Sequence, residues 1–104
     1  MNKVLENIST IIERYESGSY ISTDDLREML RLLSANIYHL TKYKIEYKNK
    51  HNEVLYKNKK SLGFGEILAH EMYPELYQIR YILRSAHNVL NSLRSEIGII
   101  RSEN

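Results

Sequence analysis

No cysteine occurs in this chain, which removes disulfide frameworks, thiolate metal sites and cysteine nucleophiles together and agrees with a reducing compartment. Tryptophan is also absent, phenylalanine occurs once, and one proline and four glycines are all that punctuate the chain. No long apolar run is present. The start, MNKVLENISTIIERYE, is interrupted by Glu6, Asn7, Ser9, Thr10 and Glu13, so it reads as neither a signal peptide nor a membrane anchor. The expected setting is the cytoplasm, with no membrane partner. Catalytic signatures are missing as well: there is no glycine-rich phosphate loop, nucleophile elbow or paired-carboxylate arrangement. Glu66 and His70 stand one helical turn apart but supply only two metal ligands, and His70-Glu71-Met72-Tyr73-Pro74 lacks the second histidine of a zinc-protease helix. Neither an enzyme nor a cofactor is expected.

What the chain does have is lysine and tyrosine, unevenly placed. Seven of its eight lysines fall between Lys42 and Lys60, and all seven arginines lie outside that stretch. Opposed there only by Glu46 and Glu53, these lysines give the segment a net charge of about +5, whereas the flanks are slightly negative. The overall charge of +2 conceals this asymmetry. A concentrated positive segment suits an anionic partner without naming a reaction.

Hydrophobic periodicity predicts an all-α fold in a single domain. Val4, Leu5, Ile8, Ile11, Ile12 and Tyr15 recur at helical spacing over residues 2–17, and Gly18 follows where a left-handed cap would end the helix. A second start signal is complete: Ser22 can cap, Asp24 and Asp25 occupy the first turn, and Ile21 and Leu26 flank the cap as a hydrophobic staple. With Leu26, Leu30, Leu33, Ile37, Leu40, Tyr47 and Val54 on one stripe, this helix is expected to span residues 23–60. Residues 61–65 read as a tip in which Gly63-Phe64-Gly65 forms a turn. Ala69, Met72, Leu76, Ile79, Leu83, Ala86, Leu90, Leu93, Ile97 and Ile100 then alternate spacings of three and four, a coiled-coil-like seam over residues 66–102. Pro74 lies inside that run and is expected either to kink the helix or to break it briefly.

The expected architecture is therefore three helices: a short N-terminal one packed on one end of a long antiparallel hairpin. The hairpin's other end should project as an arm. Along that arm the stripe offers Lys44, Tyr47, His51 and Val54 instead of a leucine at every turn. Such a thin seam predicts homo-oligomerisation or partner binding, since burial must outweigh the entropy of ordering each residue.

At 100° per residue, Lys44, Lys48 and Lys59 fall on one side of the seam, Lys50 and Lys57 on the other, and Lys42 and Lys60 near the back. Cations around a rod suit sequence-independent attraction to phosphates. Tyr43, Tyr47 and Tyr56 lie among them, and the last helix adds Tyr77 and Tyr81 with Arg80 and Arg84; exposed rings beside cations can stack single-stranded bases. These fourteen residues are the candidate contact set, and the candidate partners are single-stranded nucleic acid or an acidic protein surface. LSANIYHLTKYKIEYKNKHNEVLYKNK, a Lys/Tyr-rich helix, resembles the helical region of small bacteriophage accessory proteins, among them phage recombination-mediator proteins. The resemblance covers about a quarter of the chain. It implies an oligomer that binds single-stranded DNA and helps load a recombinase. The other reading is a helical adaptor or inhibitor that docks on an acidic surface of a host replication or defence protein.

Overall fold

The computed structural model describes residues 1–20 and 22–103, the last four of these as backbone only. Four α-helices account for nearly all of them: α1 (Asn2–Glu16), α2 (Thr23–Lys57), α3 (Leu62–Met72) and α4 (Glu75–Glu103). They form a rod of 61 × 24 × 19 Å whose length is set by α2. Thirty-five residues at ~1.5 Å each give that helix about 52 Å.

The chain ends its first helix as the glycine at position 18 predicted. Gly18 adopts φ 69°, the Ser19 N–H reaches the Arg14 carbonyl at 3.0 Å, and the Gly18 N–H reaches that of Tyr15 at 3.1 Å. This is a Schellman turn, which needs a residue without a Cβ penalty at the left-handed position. Ser22 then opens α2, its Oγ accepting the Asp25 N–H at 3.2 Å. Asp25 lies in the favourable first turn and also faces Arg14 across the α1–α2 junction at 3.7 Å. The Ile21 half of the expected staple lies outside the described residues, as does the Ile100 side chain of the expected seam.

Leu5, Ile8 and Ile11 of α1 enter a core made with Leu26, Met29, Leu33, Ile37 and Leu40 of α2 and Ile79 to Ile97 of α4. α1 thus covers one end of the rod, as its length required. The last expected helix is broken at Pro74, the second of the two outcomes expected there, so the described helices number four where three were expected. Tyr73, outside the helical region at φ −134° and ψ 65°, precedes Pro74, whose ring disfavours an α conformation in the residue before it, and α4 starts afresh at Glu75. His51, the one buried polar residue among those described, sits inside this corner. Its Nε2 lies 2.7 Å from the Tyr73 carbonyl oxygen. A carbonyl can only accept, so Nε2 carries the proton and His51 satisfies a group that the break released.

The tip differs as well. α2 stops at Lys57, where Asn58 folds its Nδ2 onto the Val54 carbonyl at 2.8 Å, and Gly63, Phe64 and Gly65 belong to the first turns of α3. The turn is residues 58–61. Gly65 is buried against α2, and a Cβ there would stand 3.0 Å from Cβ of Asn58. Glycine at 65 is therefore a close-packing residue, which a local reading takes for a loop signal. Met72, expected in the seam, is exposed because the chain leaves the helix at the next residue. Beyond Leu40 the interior narrows to His51, Val54, Gly65, Ala69 and Leu76, all outside the main core cluster.

Candidate nucleic-acid interface

Antiparallel packing of α2 and α4 places two sets of cations face to face. Lys44 and Thr41 from α2 and Arg80, Arg84 and His87 from α4 line a groove of about 430 Å³ floored by Leu83. No carboxylate contributes to its lining. An adjoining pocket of about 230 Å³ continues it toward the tip, with Lys48, His51, Asn52 and Leu55 on one wall and Ala69, Leu76, Tyr77 and Arg80 on the other. Glu66 is the single acid there. Lys44, Lys48, Arg80 and Arg84 thus border one continuous furrow. Among the described residues, none of the four has a carboxylate within 4.0 Å.

The remaining lysines are differently placed. Lys50, across the seam, pairs with Glu46 at 3.4 Å and lies over the rings of Tyr47 and Tyr73 at 4.7 and 5.5 Å from their centroids. Lys57 borders a shallow outer depression with Asn49, Asn52, Glu53 and Tyr56. Lys42, Lys59 and Lys60 are exposed on the back of α2 or in the turn that follows it.

The tyrosines divide into two groups. Tyr43 and Tyr47 are partly buried against the core, so of the three rings expected from α2 only Tyr56 is exposed. Lys59 lies over that ring at 5.0 Å. Tyr77 faces the furrow, with the His51 and His70 rings edge-on to it at 5.9 and 4.5 Å and Arg80 at 5.8 Å. Tyr81 is 73% exposed but turns toward α1, where it borders a groove with Ile12, Glu13, Glu16 and Ile82. A regularity joins these rings: Tyr38 with Lys42, Tyr47 with Lys50, Tyr56 with Lys59 and Tyr77 with Arg80 each set a cation over a tyrosine three or four residues earlier.

Comparison with protein-family models, with curated proteins and with solved structures finds no match to this chain. Its chemistry is read from the residues alone. Among the described residues no three His, Asp or Glu side chains gather in a way that could hold a metal ion, and no helix is long and apolar enough to cross a membrane. His70, half of the Glu66–His70 pair, is instead engaged edge-on with Tyr77.

Of the polar residues that line the furrow, Thr41, His51, Asn52, Glu66 and His87 were absent from the expected contact set. His87 follows Arg80 and Arg84 at the next helical step, so the spacing of 80, 84 and 87 was its signal. Titratable groups with clear shifts lie away from the furrow. Glu28, exposed on α2, is held below the usual carboxylate range by hydrogen bonds from Arg31 at 2.6 and 3.1 Å.

Proposed function

We propose that this protein is a non-catalytic accessory protein that binds single-stranded nucleic acid without sequence specificity along the α2–α4 furrow. The observation that carries the reading is the convergence of Lys44, Lys48, Arg80 and Arg84 from two helices on one acid-poor groove. Two cations on each wall of the furrow can flank a strand of phosphates, and the affinity of such a contact comes from counterion release. Tyr77 offers a ring beside that path, and base stacking on such rings tolerates any base. The back lysines, Lys42, Lys59 and Lys60, add long-range attraction. A cytoplasmic, phage-type origin, with a role like that of recombination mediators, fits this chemistry through the resemblance of the Lys/Tyr-rich helix.

The experiment is oligonucleotide binding across a salt series. Four phosphate contacts predict a slope of log K against log salt near −3, at about 0.7 per contact. Lys44→Glu with Arg84→Glu is expected to weaken binding strongly and to flatten the slope by roughly 1.4. Lys50→Glu with Lys57→Glu, on the other side of α2, should weaken it much less. Absence of binding by the unmodified chain at low salt would end this reading. The cations over Tyr38, Tyr56 and Tyr77 favour a second one, because each occupies a ring face that a base would need. On that reading the furrow meets an acidic protein surface as an adaptor or inhibitor, and a stoichiometric protein complex indifferent to oligonucleotide is the expected finding.

A further inference from the structure

α3, LGFGEILAHEM, carries one of the highest apolar contents in the chain, yet its backbone runs close to α2 alone among the described helices. Only Gly65 and Ala69 of this helix are buried, both small residues. The large ones face out: Leu62, Phe64, Ile67 and Met72 are all at least half exposed. At 100° per residue Phe64 and Ile67 share one face with Glu71, and half-buried Leu68 borders it. Phe64 and Ile67, two large apolar side chains exposed on one face at the tip of a small protein, mark a contact surface.

We infer that this face binds a second copy of the same chain, with the two α3 helices antiparallel about a two-fold axis midway between Phe64 and Ile67. In that register each Phe64 packs on the partner's Ile67, and each Lys60 stands opposite the partner's Glu71. Charge decides among the arrangements. Lys60 lies in the turn before α3 and Glu71 near its end, so antiparallel pairing matches opposite charges at both margins and opposes the helix dipoles. Parallel pairing would set Glu71 on Glu71 and Lys60 on Lys60. An anionic bilayer would attract Lys59 and Lys60 but would meet Glu66, Glu71 and Glu75 on the same tip. The contact is one short helix per copy, below the size of a standard stable interface, so the dimer is weak and its population depends on concentration.

Sedimentation equilibrium of the full chain tests this. The mass should approach twice the 12.3 kDa of one chain at high concentration and return to one chain on dilution. Ile67→Glu and, separately, Phe64→Ser should hold the protein monomeric with unchanged helical circular dichroism. Lys60→Glu and Glu71→Lys should each loosen the dimer several-fold, and the two together should restore it, a recovery that loss of folding cannot mimic. A chain monomeric at every concentration, a dimer unmoved by Ile67→Glu, or a monomer that sediments with phosphatidylserine vesicles through Ile67 would each overturn the inference. Phe64 and Ile67 do not line the furrow, so Ile67→Glu should leave oligonucleotide affinity per chain unaltered. The dimer and the nucleic-acid reading therefore fail independently.

Discussion

Glu96 of α4 holds the region where α1 gives way to α2. The Tyr20 hydroxyl donates to its Oε1 at 3.1 Å, and the Tyr15 and Tyr20 rings stack with centroids 6.0 Å apart. The phenol pKa of Tyr20 is raised above its ordinary value, chiefly because that hydrogen bond holds the proton; burial and then the Glu96 charge raise that of Tyr15. For an acid whose folded pKa is raised, the stabilisation is complete below the unfolded value near 10 and disappears as pH climbs through the folded one. Tyrosine absorbance should therefore show two phenols ionising above the ordinary tyrosine value, one lost with Tyr15→Phe and the other with Tyr20→Phe. Glu96→Gln keeps an acceptor but removes the charge, so both late phenols should move down. A titration unchanged by Tyr20→Phe above the ordinary tyrosine value would show that the Glu96 contact is not populated.

Gly65 sets how closely α2 and α3 approach. Alanine improves an exposed helix interior by up to ~1 kcal/mol over glycine, and at Gly98, where among the described residues nothing lies within 4 Å of a built Cβ, Gly98→Ala should raise the unfolding temperature. At Gly65 the same change sets a methyl 3.0 Å from Cβ of Asn58, an atom next to the backbone that a rotamer change cannot move. Gly65→Ala is expected to cost about 1 kcal/mol despite the better propensity, read as a lower unfolding temperature. An increase equal to that of Gly98→Ala would mean that α3 rides loosely on α2. The close approach explains what local reading could and could not see. The caps at Gly18 and Ser22 depend on neighbours in sequence and were legible, as were most buried positions of α2 and α4. Gly63-Phe64-Gly65 reads as a turn because glycine disfavours helix, and only the contact across α2 reverses that. Pro74 is instructive in another way. Ala69 and Leu76 are seven residues apart, so the buried phase survives whether the helix bends or stops. The furrow was legible in its cations but not in its shape, because the register that puts Arg80 and Arg84 opposite Lys44 and Lys48 is a property of the folded pair.

Over the whole rod, burial is distributed unequally. The proximal two-thirds contains Ile8, Met29, Leu33, Leu40, Ile79 and Leu93, all almost entirely shielded from water, and truncating any one of them to alanine should cost ~2–5 kcal/mol. Leu76 is the only comparable side chain at the distal end, where the partners are His51, Val54, Gly65 and Ala69. The positive charge of residues 42–60 is concentrated over that weaker end, and its self-repulsion weakens it further. Opening of the arm should therefore need less free energy than opening of the core. Hydrogen exchange reads this directly: amides of residues 46–57 and of α3 should exchange faster than those of residues 29–40 and 79–93, with the boundary near Lys44. Two additions should slow the distal set selectively. An oligonucleotide supplies counter-charge along the furrow and should protect residues 44–52, whereas high protein concentration should protect α3 first if the tips pair. Uniform protection along α2 would instead mean that its two ends unfold as one unit, and that neither a partner nor a second copy is needed to order the arm.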